Sequence, residues 1–167
     1  MVCGHSPGVT WFVRNLRDMQ WFSRARRGFV TELVDSGNEV GVNLFVLGPG
    51  ESMSMYHWEA DQEGYLVLSG EALLIVEDEE HPLRQWDYFH CPPPVPHTIV
   101  GAGDRPSAIL ALGARGHQGG PDWGGYPRSA VAARHDASSE VETTDADVAY
   151  ARFPDREPTE FREEWLR

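Results

Sequence analysis

Residues 50–70, GESMSMYHWEADQEGYLVLSG, decide how the chain reads. The middle of this run is strand-like, and Ser69-Gly70 at its end signals a tight turn. Residues two apart in a strand point to one face, so His57 and Glu59 can share a side. Glu63 has the same parity and joins them if the pleat persists or re-forms across Ala60-Asp61-Gln62. One imidazole and one or two carboxylates converging on an interior predict a divalent metal site. Two carboxylates buried together are costly unless a cation or a proton offsets them. A further protein ligand has to come from elsewhere, and His97 is the obvious supplier.

Working outward, the flanking sequence is a series of short β-prone runs. Upstream lie Phe29–Val34 and Val40–Leu47, separated by Asp35-Ser36-Gly37-Asn38 and closed by Gly48-Pro49-Gly50. Downstream lie residues 64–68, 72–77, 82–86, 87–91, 98–100 and 107–112. Their separators are a charged Asp78-Glu79-Glu80 tip, a stiff Pro92-Pro93-Pro94-Val95-Pro96 run and a Gly101-Ala102-Gly103-Asp104 turn. Many short strands at this spacing predict an all-β antiparallel sandwich or barrel. Residues 1–28 read as an N-terminal extension, 29–113 as the barrel and 114–167 as an irregular C-terminal tail packed on the barrel or on a partner. Within the tail, residues 158–166 predict a short terminal helix starting at Pro158, with Phe161 and Trp165 on one face.

Bulk properties narrow the function classes. A chain of 167 residues, 41% hydrophobic, suits one domain with a real core. The net charge of −12 argues against a general nucleic-acid binder and against an anionic membrane surface as partner. All 14 basic residues are arginine, which excludes Schiff-base or lysine-base chemistry. Cys3 and Cys91 make no disulfide framework, and no run approaches a membrane span, so the expected location is cytoplasmic. Trp11, Phe12, Trp21 and Phe22 offer more aromatic surface than a monomer usually exposes, which predicts a homodimer.

Two motifs carry a family resemblance. The run His57-x-Glu59-x3-Glu63-x6-Gly70 is similar to the first cupin motif, G-x5-H-x-H-x3/4-E-x6-G. The run Trp86-x5-Pro92-x-Pro94-x2-His97-x3-Gly101 is similar to the second, G-x5-P-x-G-x2-H-x3-N. Fifteen residues separate Gly70 from Trp86, within the usual cupin range. Residues 40–112 thus resemble the cupin superfamily, and the overall run looks most like actinobacterial single-domain cupins. Glu59 replaces the motif's second histidine, Pro94 a glycine and Gly101 the asparagine, and Gly50 stands one residue too far from His57.

The resemblance implies a jelly-roll (double-stranded β-helix) barrel with a metal inside and a mouth open to small ligands. It implies His57, Glu63 and His97 as ligands, a two-histidine, one-carboxylate set like that of hydroxyanthranilate dioxygenases. Glu59 is then either a fourth ligand or a proton shuttle beside the metal. Iron, manganese and zinc are the candidate metals, with nickel a further one. The implied function is a small-molecule metalloenzyme of dioxygenase or isomerase type; the alternative is a sensor cupin that binds a small ligand without turnover. Tyr65 shares the parity of Glu63 and is expected to line the cavity, and Tyr88 to line its rim. Arg84 and Arg105 are candidates for holding an anionic substrate.

Overall fold

The structure, a computed structural model, describes residues 2–6, 9–34 and 37–166. The strands in chain order are β1 (Val2–Ser6), β2 (Val9–Val13), β3 (Trp21–Ser23), β4 (Phe29–Val34), β5 (Val40–Leu47), β6 (Trp58–Glu59) and β7 (Glu63–Ser69). They continue with β8 (Glu71–Val76), β9 (Glu79–Arg84), β10 (Tyr88–Cys91), β11 (His97–Ala102), β12 (Ser107–Ala114), β13 (Gly124–Gly125) and β14 (Glu157–Thr159). Two short helices, α1 (Ala130–Ala133) and α2 (Ala146–Tyr150), and two 3-10 turns (Leu16–Asp18 and Glu163–Leu166) complete the elements of the described residues. All strand pairings are antiparallel. The molecule is an all-β jelly-roll barrel.

Seven strands form one sheet in the order β10-β7-β12-β5-β4-β3-β14, and three form the facing sheet, β11-β8-β9. Period-two alternation decides what lies between them. Leu47, Tyr65, Ala72, Leu74, Cys91, Ile99, Ile109 and Ala111 point inward, and with Met53 they make the central core. The alternate residues Leu44, Val46 and Leu110 point to the outer face of the large sheet, where Trp21, Phe161 and Trp165 cover them. Ile75 and Val100 leave the small sheet by its outer face and meet Ala132 and Ala137. Both sheets are therefore apolar on both sides, and the segment after residue 114 covers one outer face of each.

Several expectations shift. The run 53–59 is mostly irregular; isolated bridges join Ser52 to Val100 and His57 to His97, and only Trp58–Glu59 pairs as strand. The charged tip shrinks to Glu77 and Asp78, both at positive φ (50° and 62°) as a two-residue hairpin turn requires, so Glu79 and Glu80 join β9. The expected turn at Asp35-Ser36-Gly37-Asn38 lies partly outside the described residues. Pro158 does not start a helix: Glu157–Thr159 pairs with Trp21–Ser23 as an added edge strand, and the helical turn begins at Glu163. An edge strand tolerates Pro158 because no ladder bond depends on its missing N–H. Trp21, expected as surface for a partner, is fully buried against Trp165, with ring centroids 4.7 Å apart.

Candidate metal centre and its cavity

The two histidines meet through their backbones. His57 N–H donates to His97 O at 3.1 Å and His97 N–H donates to His57 O at 2.8 Å, which seats the residues directly opposite one another. Their rings lie 4.9 Å apart. Glu63 arrives from the other sheet as the first residue of β7, rather than along a continued pleat from Glu59. Ligand atoms of His57, Glu63 and His97 all fall within 4.8 Å of one another.

Hydrogen bonding fixes which ring nitrogens face inward. His57 Nδ1 lies 2.9 Å from Met55 O and His97 Nδ1 lies 3.0 Å from Val95 O. A carbonyl only accepts, so each Nδ1 carries the proton and each Nε2 presents a lone pair to the interior. His57 Nε2 sits 3.8 Å from Glu59 Oε1, and His97 Nε2 sits 3.5 Å from Glu63 Oε2. Tyr65 donates its hydroxyl to Glu63 Oε1 at 2.5 Å, and its oxygen is 2.9 Å from His97 Nε2. One hydroxyl proton serves one acceptor at a time. Two imidazole lone pairs and two carboxyl groups thus face one another with a single protein proton among them. A cation or an extra proton makes this arrangement stable, and the nitrogen and oxygen donors suit a divalent transition metal. The Nδ1–carbonyl bonds also orient the rings, as they do for metal-bound histidines generally.

Burial sets the electrostatics. It pushes the His97 imidazole down to about 3, with the neighbouring His57 second, and it lowers His57 despite the opposing pull of Glu59. Both rings are therefore neutral and ready to ligate. Burial raises Glu59 to about 7, aided by Glu63, and raises Glu63 to about 7 against the hydrogen bond from Tyr65. Among the described residues the Glu59 carboxyl has no ion-pair partner other than His57, and the field of Arg115 offsets part of its rise. The carboxyl faces the cavity.

That cavity, about 310 Å³, is lined by His57, Glu59, Glu63 and Tyr65 together with residues the sequence did not single out. Arg24, Asn43, Arg115, Tyr126 and Tyr150 are the polar ones. The only sequence signal for them was Asn43, a polar residue on the inward parity of the apolar run VGVNLFVL. Tyr88 is not in the lining; its parity in β10 puts it on the outer face with His90, and it is 56% exposed. Arg84 and Arg105 also lie outside. Cys91 is buried, its Sγ 3.3 Å from His97 Nδ1.

One motif departure keeps the motif's backbone and another has a local cause. Trp86 holds φ 75° where the motif has glycine, and Gly101 packs so closely on the Gly48 carbonyl that any Cβ would collide with it.

Comparison with known proteins agrees with the geometry. Residues 43–113 match the family model described as Cupin domain. The barrel is similar to a sugar phosphate isomerase of the cupin superfamily from Silicibacter pomeroyi, at 28% identity and TM-score 0.50, covering 61% of this chain and 63% of that one. It is also similar to a cupin 2 domain-containing protein from Halorhodospira halophila, at 19% identity and TM-score 0.51, covering 69% of this chain and 82% of that one. The second likeness speaks to fold alone. Comparison with curated proteins returned no match. The chain thus matches a cupin domain over residues 43–113 and holds a histidine–glutamate–histidine group that could bind metal. It spans less than two thirds of the isomerase it resembles.

Proposed function

We propose that this protein is a metal-dependent enzyme acting on a small molecule, of isomerase type, with the metal on His57, Glu63 and His97. The observation that carries the reading is the convergence of the three ligand atoms on one another, with His57 and Glu63 lining a cavity of substrate size. A metal bound there would polarise a carbonyl or hydroxyl oxygen of the substrate as a Lewis acid. The protein's own residues do the rest. Glu59, without a competing donor, takes a proton from substrate carbon and returns it to the neighbouring one, the role assigned here in preference to that of a fourth ligand. Tyr65 holds Glu63 in place through its hydroxyl. The likeness to a sugar phosphate isomerase supports proton transfer over oxygen chemistry. Iron, manganese, zinc and nickel all suit the donor set.

The acidic net charge supports a protein that leaves nucleic acid alone. No helix among the described residues is long and apolar enough to cross a membrane, and the buried free Cys91 fits a reducing, cytoplasmic setting.

The test is solvent exchange. The metal-loaded chain incubated in D2O with a panel of hydroxyaldehydes should place deuterium on the carbon beside the carbonyl, read by NMR. Glu59→Gln should abolish exchange and keep the metal. Oxygen uptake with aromatic or thiol substrates would instead mark a dioxygenase. Full metal occupancy without any turnover would mark a ligand-binding module.

A further inference from the structure

Neither arginine of the cavity lining, Arg24 nor Arg115, is in an ion pair among the described residues. Arg24 sits over Phe45, its guanidinium carbon 4.9 Å from the ring centroid, and donates to Met53 O at 2.8 Å and to Arg27 O at 2.5 Å. Both partners are neutral carbonyls, and the buried Nε has no partner. Behind it Arg27 stacks over Tyr150 at 4.4 Å and Phe153 at 4.9 Å, also without a carboxylate and with its own Nε unpaired. The field of Glu51 reaches Arg24, but that carboxylate lies beyond ion-pair distance and accepts from the Gly48 amide at 2.7 Å. Burial, then Arg27, pushes the Arg24 guanidinium down to about 9. Two partly buried cations side by side are costly unless an anion joins them.

Strand parity arranges the rest of this wall. Gly41, Asn43 and Phe45 share the inner face of β5. Asn43 Oδ1 is buried there with no hydrogen-bond partner among the described residues. On one side of it lies Phe45 with Arg24; on the other, Gly41 leaves the space that the Arg115 guanidinium fills. Arg115 has no side-chain hydrogen bond or ion pair among the described residues either, but its field acts on Glu59. The cavity's acids, Glu59 and Glu63, belong to the metal group.

We propose that the cavity takes a small anionic ligand whose carboxylate or phosphate group is held by Arg24, with Asn43 accepting a hydrogen bond from a hydroxyl of the same molecule. This rests on reading the cavity as the substrate site, and it adds the ligand's chemical class. A guanidinium held by two carbonyls is preorganised for an oxyanion, and charge-assisted bonds to it are among the stronger polar contacts.

The test uses the full chain dialysed free of metal, so that anions cannot bind through the metal. Calorimetry and thermal shift are run with inorganic phosphate, acetate and glycerol. Phosphate or acetate should bind and raise the melting temperature, and glycerol should not; which anion binds better separates a phosphate ligand from a carboxylate one. Arg24→Gln should weaken the anion about tenfold or more, and Arg24→Lys less. An equal response to glycerol overturns the proposal. So does an Arg24→Gln affinity within about twofold of wild type, or loss of binding in Arg115→Gln alone. If Arg24→Gln does not fold, the wild-type comparison decides, and absence of an anion effect overturns the proposal. Loss of anion binding in Arg24→Gln that still takes up metal isolates this inference. A chain that binds phosphate and no metal contradicts only the metal reading.

Discussion

Cys91 shows at the scale of one residue what this interior does to a reactive group. Burial, with Glu63 and Glu59 adding to it, pushes its thiol up to about 12. A thiol that stays protonated is a poor nucleophile. Iodoacetamide at neutral pH should therefore leave the Cys91 peptide unmodified in the folded protein and label it readily in urea, as mass spectrometry would show. Rapid labelling of the native chain would mean that the core around His97 opens. At this scale the sequence pointed to the candidate metal group because histidines and acids are rare at inward positions of apolar strands. It revealed the route less well: Glu63 comes from a second sheet, and His57 is placed by a two-bond pair with His97. Arg24 stayed hidden because nothing local distinguishes it from Arg26, which lies on the surface in an ion pair with Asp136.

Elements were legible where alternation was strong and hidden where it was absent. Phe29–Val34 and Val40–Leu47 were read to the residue, and their parity assigns both faces. The helices α1 and α2 are one turn each, too short for a periodic signal. What marks them is their caps: Ser129 accepts from Ala132 N–H, and Asp145 accepts from Asp147 N–H. Ser129→Ala should cost about 1 kcal/mol in denaturant unfolding. Trp86, 67% exposed and at φ 75°, gains little from burial and carries left-handed strain. Trp86→Gly should thus leave stability unchanged or raise it by up to about 1 kcal/mol, and a clear loss would show that the ring packs. Glu80 ties β9 to the stretch after α1, accepting from His135 at 2.8 Å and Arg134 at 3.0 Å. The His135 hydrogen bond, with Arg134 adding to it, lowers the Glu80 carboxyl. Its contribution is present above the ordinary carboxylate range and is lost as pH falls through the lowered value. The melting-temperature gap between wild type and Glu80→Gln should accordingly be small at neutral pH and close in acid, because exposed pairs contribute little.

The whole molecule is a barrel whose outer faces the chain covers for itself. Trp165, buried on Trp21 and Phe29, anchors the C-terminal segment across the large sheet. Trp165→Ala should destabilise the protein by about 3–5 kcal/mol. The N-terminal hairpin is different: Trp11 and Val13 are 50% and 62% exposed, and Phe12 is partly so. That apolar edge supports the proposed homodimer, and light scattering at micromolar concentration should report twice the chain mass. The central claim is the metal centre, and elemental analysis of the purified chain tests it most directly. One divalent transition metal per chain is expected, lost in His57→Ala, Glu63→Ala and His97→Ala while each variant keeps its strand-rich circular dichroism. A folded wild-type chain that takes up no metal, or the same metal content in all three variants, would contradict it.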